Sequence, residues 1–164
     1  MKMKLHFIFL LSLLLLSCNT NAQKTTDAKS KKEQFKITKT SKEWKASLTP
    51  IQYSVLRESA TERAFTSPLL DIKTEGTYVC AGCKTPLFKS VHKFNSGTGW
   101  PSFDRPIENN VSYDVDYNIG VARTEEHCAT CGGHLGHVFD DGPRATTGKR
   151  HCINGAALEF IPSK

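Results

Sequence analysis

The chain has little apolar sequence to give to a membrane. Its longest apolar run, Leu5–Leu16, falls short of the ~20 residues a helix needs to cross a bilayer, so a helical span there is excluded. With Lys2 and Lys4 ahead of it, the run has the shape of a signal-peptide core, and export from the cytoplasm is expected. Two exits stay open. Leu15-Leu16-Ser17-Cys18 resembles a lipobox, which would make Cys18 a lipidated N-terminus on an outward-facing membrane surface. Cleavage after Thr20-Asn21-Ala22 would instead release a free periplasmic or secreted protein.

The next stretch lacks apolar residues. Asn19 to Lys45 is polar and lysine-rich and reads as a tether that buries too little surface to fold. The expected organisation is therefore a leader over 1–18, a tether over 19–45 and one domain over 46–164. Those last 119 residues suffice for a single core.

That domain also lacks a net charge of either sign. From residue 46 onward, six lysines and six arginines face 13 acidic residues, although the whole chain is formally +6. The basic excess belongs to the leader and tether, where an anionic membrane surface is the natural partner. A nucleic-acid module would carry it on the folded part, so no nucleic-acid partner is expected. A monomer is expected.

Within the domain, Trp44–Ala60 has helical periodicity, with Thr49-Pro50 supplying an N-cap and an N1 proline. Short β-like runs follow at Thr77–Val79, Ser112–Val115, Ile119–Arg123, His134–Phe139 and Ala156–Ile161, separated by turn residues. The pattern is that of a mainly β, antiparallel domain with long loops. Ser96-Gly97-Thr98-Gly99-Trp100-Pro101 is too rich in glycine for a strand and reads as a shaped loop.

Cys80-Ala81-Gly82-Cys83 and Cys128-Ala129-Thr130-Cys131 form a faint internal repeat, C-A-x-C-x-x-x-L. Two C-x-x-C turns aim four thiolates at one point, the ligand set of a structural zinc site. Iron takes the same ligands, and two disulfides or two dithiol redox pairs are the other readings. Zinc (Zn²⁺, one per chain) is preferred over iron because nothing else in the sequence points to electron transfer, and over dithiol pairs because glycine and short strands flank both turns.

Cys152, in Arg150-His151-Cys152-Ile153-Asn154, has no cysteine nearby. A lone cysteine is usually a small buried hydrophobe. Here Arg150 and Asn154, each two residues away, share its side of an extended strand, and the cation favours a thiolate. Gly133-His134-Leu135-Gly136-His137-Val138-Phe139 supplies two imidazoles on a segment that starts from a cysteine turn. A thiolate and a held imidazole suffice for nucleophilic chemistry.

These motifs, with Leu48-Thr49-Pro50, Gln52-Tyr53, Thr61-Glu62, Phe65-Thr66, Lys93–Phe103 and Asp141-Gly142-Pro143, run in order through Trp44–Ile161. In that order they resemble the B-type methionine sulfoxide reductases, which reduce methionine-R-sulfoxide in peptides. The resemblance implies two small antiparallel sheets in a β-tent-like arrangement with short N-terminal helices. It implies Cys152 as nucleophile, with His134 and His137 orienting the sulfoxide oxygen and donating a proton. Arg150 would favour the thiolate and Asn154 would be a polar partner. Trp100 would receive the substrate methyl group, with Phe139 in the same lining, and zinc would sit on Cys80, Cys83, Cys128 and Cys131. The implied activity repairs oxidised proteins.

The sequence departs from many such enzymes at Thr98, where they carry a second, resolving cysteine. An external thiol, such as a thioredoxin-like protein, is therefore expected to reduce the enzyme. A non-catalytic zinc-ribbon module and a Cys-His hydrolase are the competing readings. The first leaves Trp100, the histidines and Cys152 unexplained, and the second lacks a clear oxyanion hole.

Overall fold

The computed structural model describes residues 35–164. The leader, Cys18 and the tether up to residue 34 lie outside the described residues. Among the described residues, no helix is long and apolar enough to cross a membrane.

Two short helices open the domain, α1 (Ser41–Ser47) and α2 (Pro50–Glu58). Each starts with a capping box, Thr40 with Glu43 and Thr49 with Gln52, which satisfies backbone N–H groups reciprocally. The single helix expected over 44–60 is thus corrected to two. Pro50 keeps Thr49 extended (ψ 159°), so a helix that starts at Pro50 requires the preceding one to end. The expected tether is corrected too. The Ile37 amide donates to the Thr130 carbonyl (2.9 Å), Phe35 meets the His127 ring edge-on at 5.8 Å, and Trp44 is buried. Residues 35–45 therefore belong to the folded part.

Nine strands follow: β1 (Gly76–Cys80), β2 (Pro86–Lys89), β3 (Lys93–Phe94), β4 (Ser102–Phe103), β5 (Val111–Asp116), β6 (Arg123–Cys128), β7 (His134–Phe139), β8 (Arg150–Ile153) and β9 (Leu158–Pro162). They form two antiparallel sheets, ordered β2-β1-β9 and β3-β4-β8-β7-β6-β5. The mainly β fold with two sheets and N-terminal helices is as expected.

Two strand boundaries differ. Tyr117–Ala122, which takes in all of the expected strand 119–123 but Arg123, is the loop of the β5–β6 hairpin, because the Asp116 carboxylate takes the Asn118 amide (2.7 Å) and Gly120 adopts φ +81°. The expected strand over 156–161 begins at Leu158. Glu62 accepts the Gly155 and Ala156 amides and holds Gly155–Ala157 in a 3-10 turn.

The sheets meet on buried aromatics. Phe88 of β2 stacks on Phe103 of β4 with centroids 4.4 Å apart, and Tyr78 of β1 meets Phe103 edge-on at 5.0 Å. All three are fully buried. Each such ring contributes roughly 2–3 kcal/mol by burial. Leu56 of α2 joins the same core and reaches both cysteine turns, packing near Gly82 and Gly133.

Candidate active site and metal cluster

The two cysteine turns have the same backbone. The amides of Lys84 and Gly132 donate to the carbonyls of Cys80 and Cys128, each at 2.8 Å. The amides of Cys80 and Cys128 then bond to the Thr85 and Gly133 carbonyls, at 2.8 and 2.9 Å. Lys84 and Gly132 both take left-handed conformations, φ +63° and +66°. Only the second position demands glycine for space, because a Cβ there would lie 2.3 Å from the Phe35 ring.

The turns bring four sulfurs within 4.8 Å of one another. Cys80 Sγ lies 3.8 Å from Cys131 Sγ, and Cys83 Sγ lies 3.5 Å from Cys128 Sγ. None of the four is in a disulfide. Four thiolates so close repel one another strongly unless a cation sits among them, so the donor set fits a metal ion. Arg57 Nη1 donates to the Cys131 carbonyl (2.9 Å), which braces one turn against α2.

Cys152 lies on β8 between two cross-strand neighbours, Ser102 of β4 and His137 of β7. A cavity of about 130 Å³ opens over it, lined by Trp100, His137, Phe139, Cys152 and Asn154, five of the residues singled out from sequence. Thr61, Arg123 and Gly136 complete the wall. Small-molecule pockets run to ~300–1,000 Å³, so this one is the size of a side-chain tip. A larger cleft of about 510 Å³ also touches Trp100, but no cysteine or histidine lines it.

Each wall residue is held. Trp100 Nε1 donates to the Glu62 carbonyl (3.2 Å). Asn154 is occupied at both ends, its Oδ1 accepting from the Glu62 amide and its Nδ2 donating to the Leu135 carbonyl, each at 2.9 Å. Gly136 is compelled, since a Cβ there would lie 2.0 Å from the Cys152 carbonyl oxygen. Thr98 Oγ1 stands 3.9 Å from Cys152 Sγ.

Arg150 is beside the cavity. Its Nε and Nη2 bind the two Asp141 oxygens at 2.8 and 2.9 Å, and its guanidinium lies 4.4 Å from the Phe139 ring centre. Its charge draws the Cys152 thiol down, as does Thr98, but burial is larger and leaves the thiol above its ordinary value. Burial thus favours the neutral thiol, and Arg150 lessens the cost of ionising it.

The two histidines are placed differently. His137 lines the cavity, while His134 stands behind it, ring edge to ring face with centroids 5.6 Å apart. His134 Nδ1 bonds Glu125 Oε1 (2.5 Å), and its Nε2 is buried without a partner. His137 Nε2 bonds Asp116 Oδ2 (2.8 Å). Burial pushes His137 below its ordinary pKa, and Asp116 opposes this. Asp116 is itself held at about 2, chiefly by the Asn118 amide and then by His137 and Arg123.

Sequence reasoning missed Asp116, Arg123 and Glu125, and gave Thr61 no place at the cavity. Asp116 faces Arg123 across the hairpin, and Glu125 faces His137 across β6 and β7. The carboxylates of β5 and β6, alternating in the first and adjacent in the second, were the available signal, and pairing had to be known before it meant anything.

A model of the SelR domain matches residues 48–162. The chain is 53% identical to the peptide methionine sulfoxide reductase MsrB of Bradyrhizobium diazoefficiens, over 83% of this chain and 98% of the relative. It is 51% identical to that of Burkholderia lata, over 77% of this chain and 89% of the relative. It is 56% identical to the chloroplastic peptide methionine sulfoxide reductase B1 of Arabidopsis thaliana, over 72% of this chain and 58% of the relative. Agreement this extensive covers both cysteine turns and the walls of the Cys152 cavity, and with it the chain belongs to the SelR-domain family, the peptide methionine sulfoxide reductases of the MsrB type, which are thiol-based oxidoreductases.

Proposed function

We propose that this protein reduces methionine-R-sulfoxide in oxidised proteins, with Cys152 as the attacking sulfur. The observation that carries the reading is one cavity of side-chain size holding a cysteine, a histidine and an indole together. The substrate tip is a methyl group, an electrophilic sulfur and a basic oxygen. Trp100 offers the methyl a flat apolar face, with Phe139 beside it.

The proton follows from the resting states. Asp116 is ionised and can only accept, so His137 carries its hydrogen on Nε2 and presents a free Nδ1. Burial favours the neutral thiol of Cys152 and the neutral ring of His137. The thiol proton passes to His137 Nδ1, with Asp116 balancing the imidazolium and Arg150 balancing the thiolate. The thiolate attacks the sulfoxide sulfur while His137 returns the proton to the oxygen, so that an Sγ–S bond forms and hydroxide leaves; water then adds to Sγ, the Sγ–S electron pair goes to the methionine sulfur, and the released proton neutralises the hydroxide. Oxygen ends on Cys152 as a sulfenic acid, and methionine leaves with its sulfur reduced by two electrons. His134, packed behind His137, steadies that ring. Asn154, bonded at both ends, shapes the wall.

Thr98 stands where a resolving cysteine would be needed, so the sulfenic acid is reduced by two equivalents of an external thiol or one dithiol of thioredoxin type. The first thiol releases water and forms a mixed disulfide, and the second frees Cys152.

Zinc is the ion we assign to Cys80, Cys83, Cys128 and Cys131. With Zn–S about 2.3 Å, a tetrahedron places its sulfurs about 3.8 Å apart, against 3.5 and 3.8 Å here. All four positions are filled by protein, so its part is structural.

We also read the protein as exported and anchored by lipid on Cys18, with residues 19–34 as tether. The leader motif supports this, and labelling with a palmitate analogue, lost in Cys18→Ala, tests it.

The decisive test of the activity is methionine-R-sulfoxide reduction with dithiothreitol by wild type and Cys152→Ser. Activity should vanish in the variant while one zinc per chain is retained; an inactive, folded, zinc-loaded wild type would refute the reading. After one turnover without reductant, the mass should rise by one oxygen.

A further inference from the structure

The β5–β6 hairpin carries an apolar tip that the chemistry above does not use. Tyr117, Ile119 and Val121 are 67%, 63% and 58% exposed, and no residue from Tyr117 to Ala122 bears a charge. Single exposed apolar side chains are ordinary on protein surfaces, but three on one six-residue loop beside a reactive cavity are not.

The tip is continuous with that cavity at both ends. It leaves β5 at Asp116, which is buried and bound to the cavity histidine, His137. It enters β6 at Arg123, which lines the cavity itself. Asp116 and Arg123 pair with each other, and Asp116 also takes the Asn118 amide, so the loop is rooted in the catalytic wall.

The cavity is too small to hold more than the end of one side chain. Whatever carries the sulfoxide must therefore rest its flanking residues on the rim. The chemistry of the lesion says what those flanks are. Methionine is mostly buried among apolar neighbours, and its oxidation disrupts such cores. An oxidised methionine that can be reached thus comes on a loosened segment with apolar residues exposed around it.

We propose that the Tyr117–Val121 tip docks the apolar residues flanking methionine sulfoxide, so that apolar flanks raise turnover over polar ones. This rests on the reductase reading above. With no charge on the tip, the preference is insensitive to salt.

The test compares three substrates: N-acetyl-methionine-R-sulfoxide, a peptide with leucine and valine flanking the sulfoxide, and the same peptide with glycine and serine flanks. Wild type should favour the apolar peptide by about tenfold in kcat/KM over the polar one. The triple variant Tyr117→Ser, Ile119→Ser, Val121→Ser should lose that preference while keeping N-acetyl-methionine-R-sulfoxide activity within about twofold. No preference in wild type, or one that survives in the variant, overturns the docking surface. Equal loss on all three substrates also overturns it, because the loop then serves only to hold Asp116. Wild-type dimers that the variant abolishes would assign the tip to a second copy, and variant-sensitive binding to phosphatidylcholine vesicles would assign it to lipid; either, with peptide preference unchanged, overturns the proposal. Failure of the reductase reading would show separately, as wild type inactive on N-acetyl-methionine-R-sulfoxide.

Discussion

At the scale of the residue, the site works against its own burial. Cys152 is made harder to ionise by the cavity that gives it selectivity, and Arg150 recovers part of that cost. Arg150→Met should therefore lower kcat/KM at pH 7 by about tenfold or more and move the rise of activity to higher pH. Asp116 carries the opposite sign. Its carboxyl titrates at about 2 against 3.8 unperturbed, so its stabilising contribution is complete above about pH 4 and is lost as pH falls toward 2. Asp116→Asn should flatten the dependence of the urea midpoint on pH in that window and also lower kcat. Cys152, its histidines and Trp100 were legible in the sequence because each is a chemically marked residue in a local motif. Asp116 was not, since a carboxylate on a β5 of alternating polar residues looks like an ordinary solvated face until the hairpin register turns it toward His137.

Between residues and the whole, loops and strands set the spacing of the reacting groups. The loop before Trp100 is shaped by a chain of hydroxyls, Ser96 bonding both Thr98 and Ser102 at 2.8 Å, with Gly97 and Gly99 at φ +73° and +92°. It delivers residue 98 to the nucleophile. Thr98→Cys should convert the one-oxygen product of a single turnover into a disulfide between the introduced cysteine and Cys152, seen as a loss of two mass units in the intact chain. In β7 the glycine opposite Ile153 lets two backbones approach. Gly136→Ala should push β8 away and cost roughly 100-fold in kcat/KM, a misplacement effect, with zinc content unchanged. Elements marked by capping or by glycine and proline were legible, as with Thr49-Pro50 and the 96–101 loop. β6 was read in the wrong place because Thr124-Glu125-Glu126 has no apolar face of its own. Glu126 is buried there only because His151 of β8 meets it at 2.6 Å, a partner 25 residues away.

For the molecule as a whole, the four sulfurs act as a rivet between its sheets. Cys80 ends β1 of the three-stranded sheet and Cys128 ends β6 of the six-stranded one, so an ion held among the four sulfurs would span both. Removing it with a chelator should lower Tm by more than ~10 °C, and activity should fall with the fold rather than before it, measured by calorimetry beside the reductase assay. The two-sheet plan was visible in the strand count and the paired turns, but which strands share a sheet was not, because pairing partners such as β1 and β9 lie far apart in the chain. That last pairing also orders events in time. β1 is the middle strand of its sheet, and the strand that closes its open edge, Leu158–Pro162, leaves the ribosome after the other eight described strands. A chain still being made therefore carries a bare edge along β1, and the contacts that cover it are so distant in sequence that they form slowly. A truncation before Leu158 therefore leaves an aggregation-prone fragment with β1 uncovered rather than a weaker reductase.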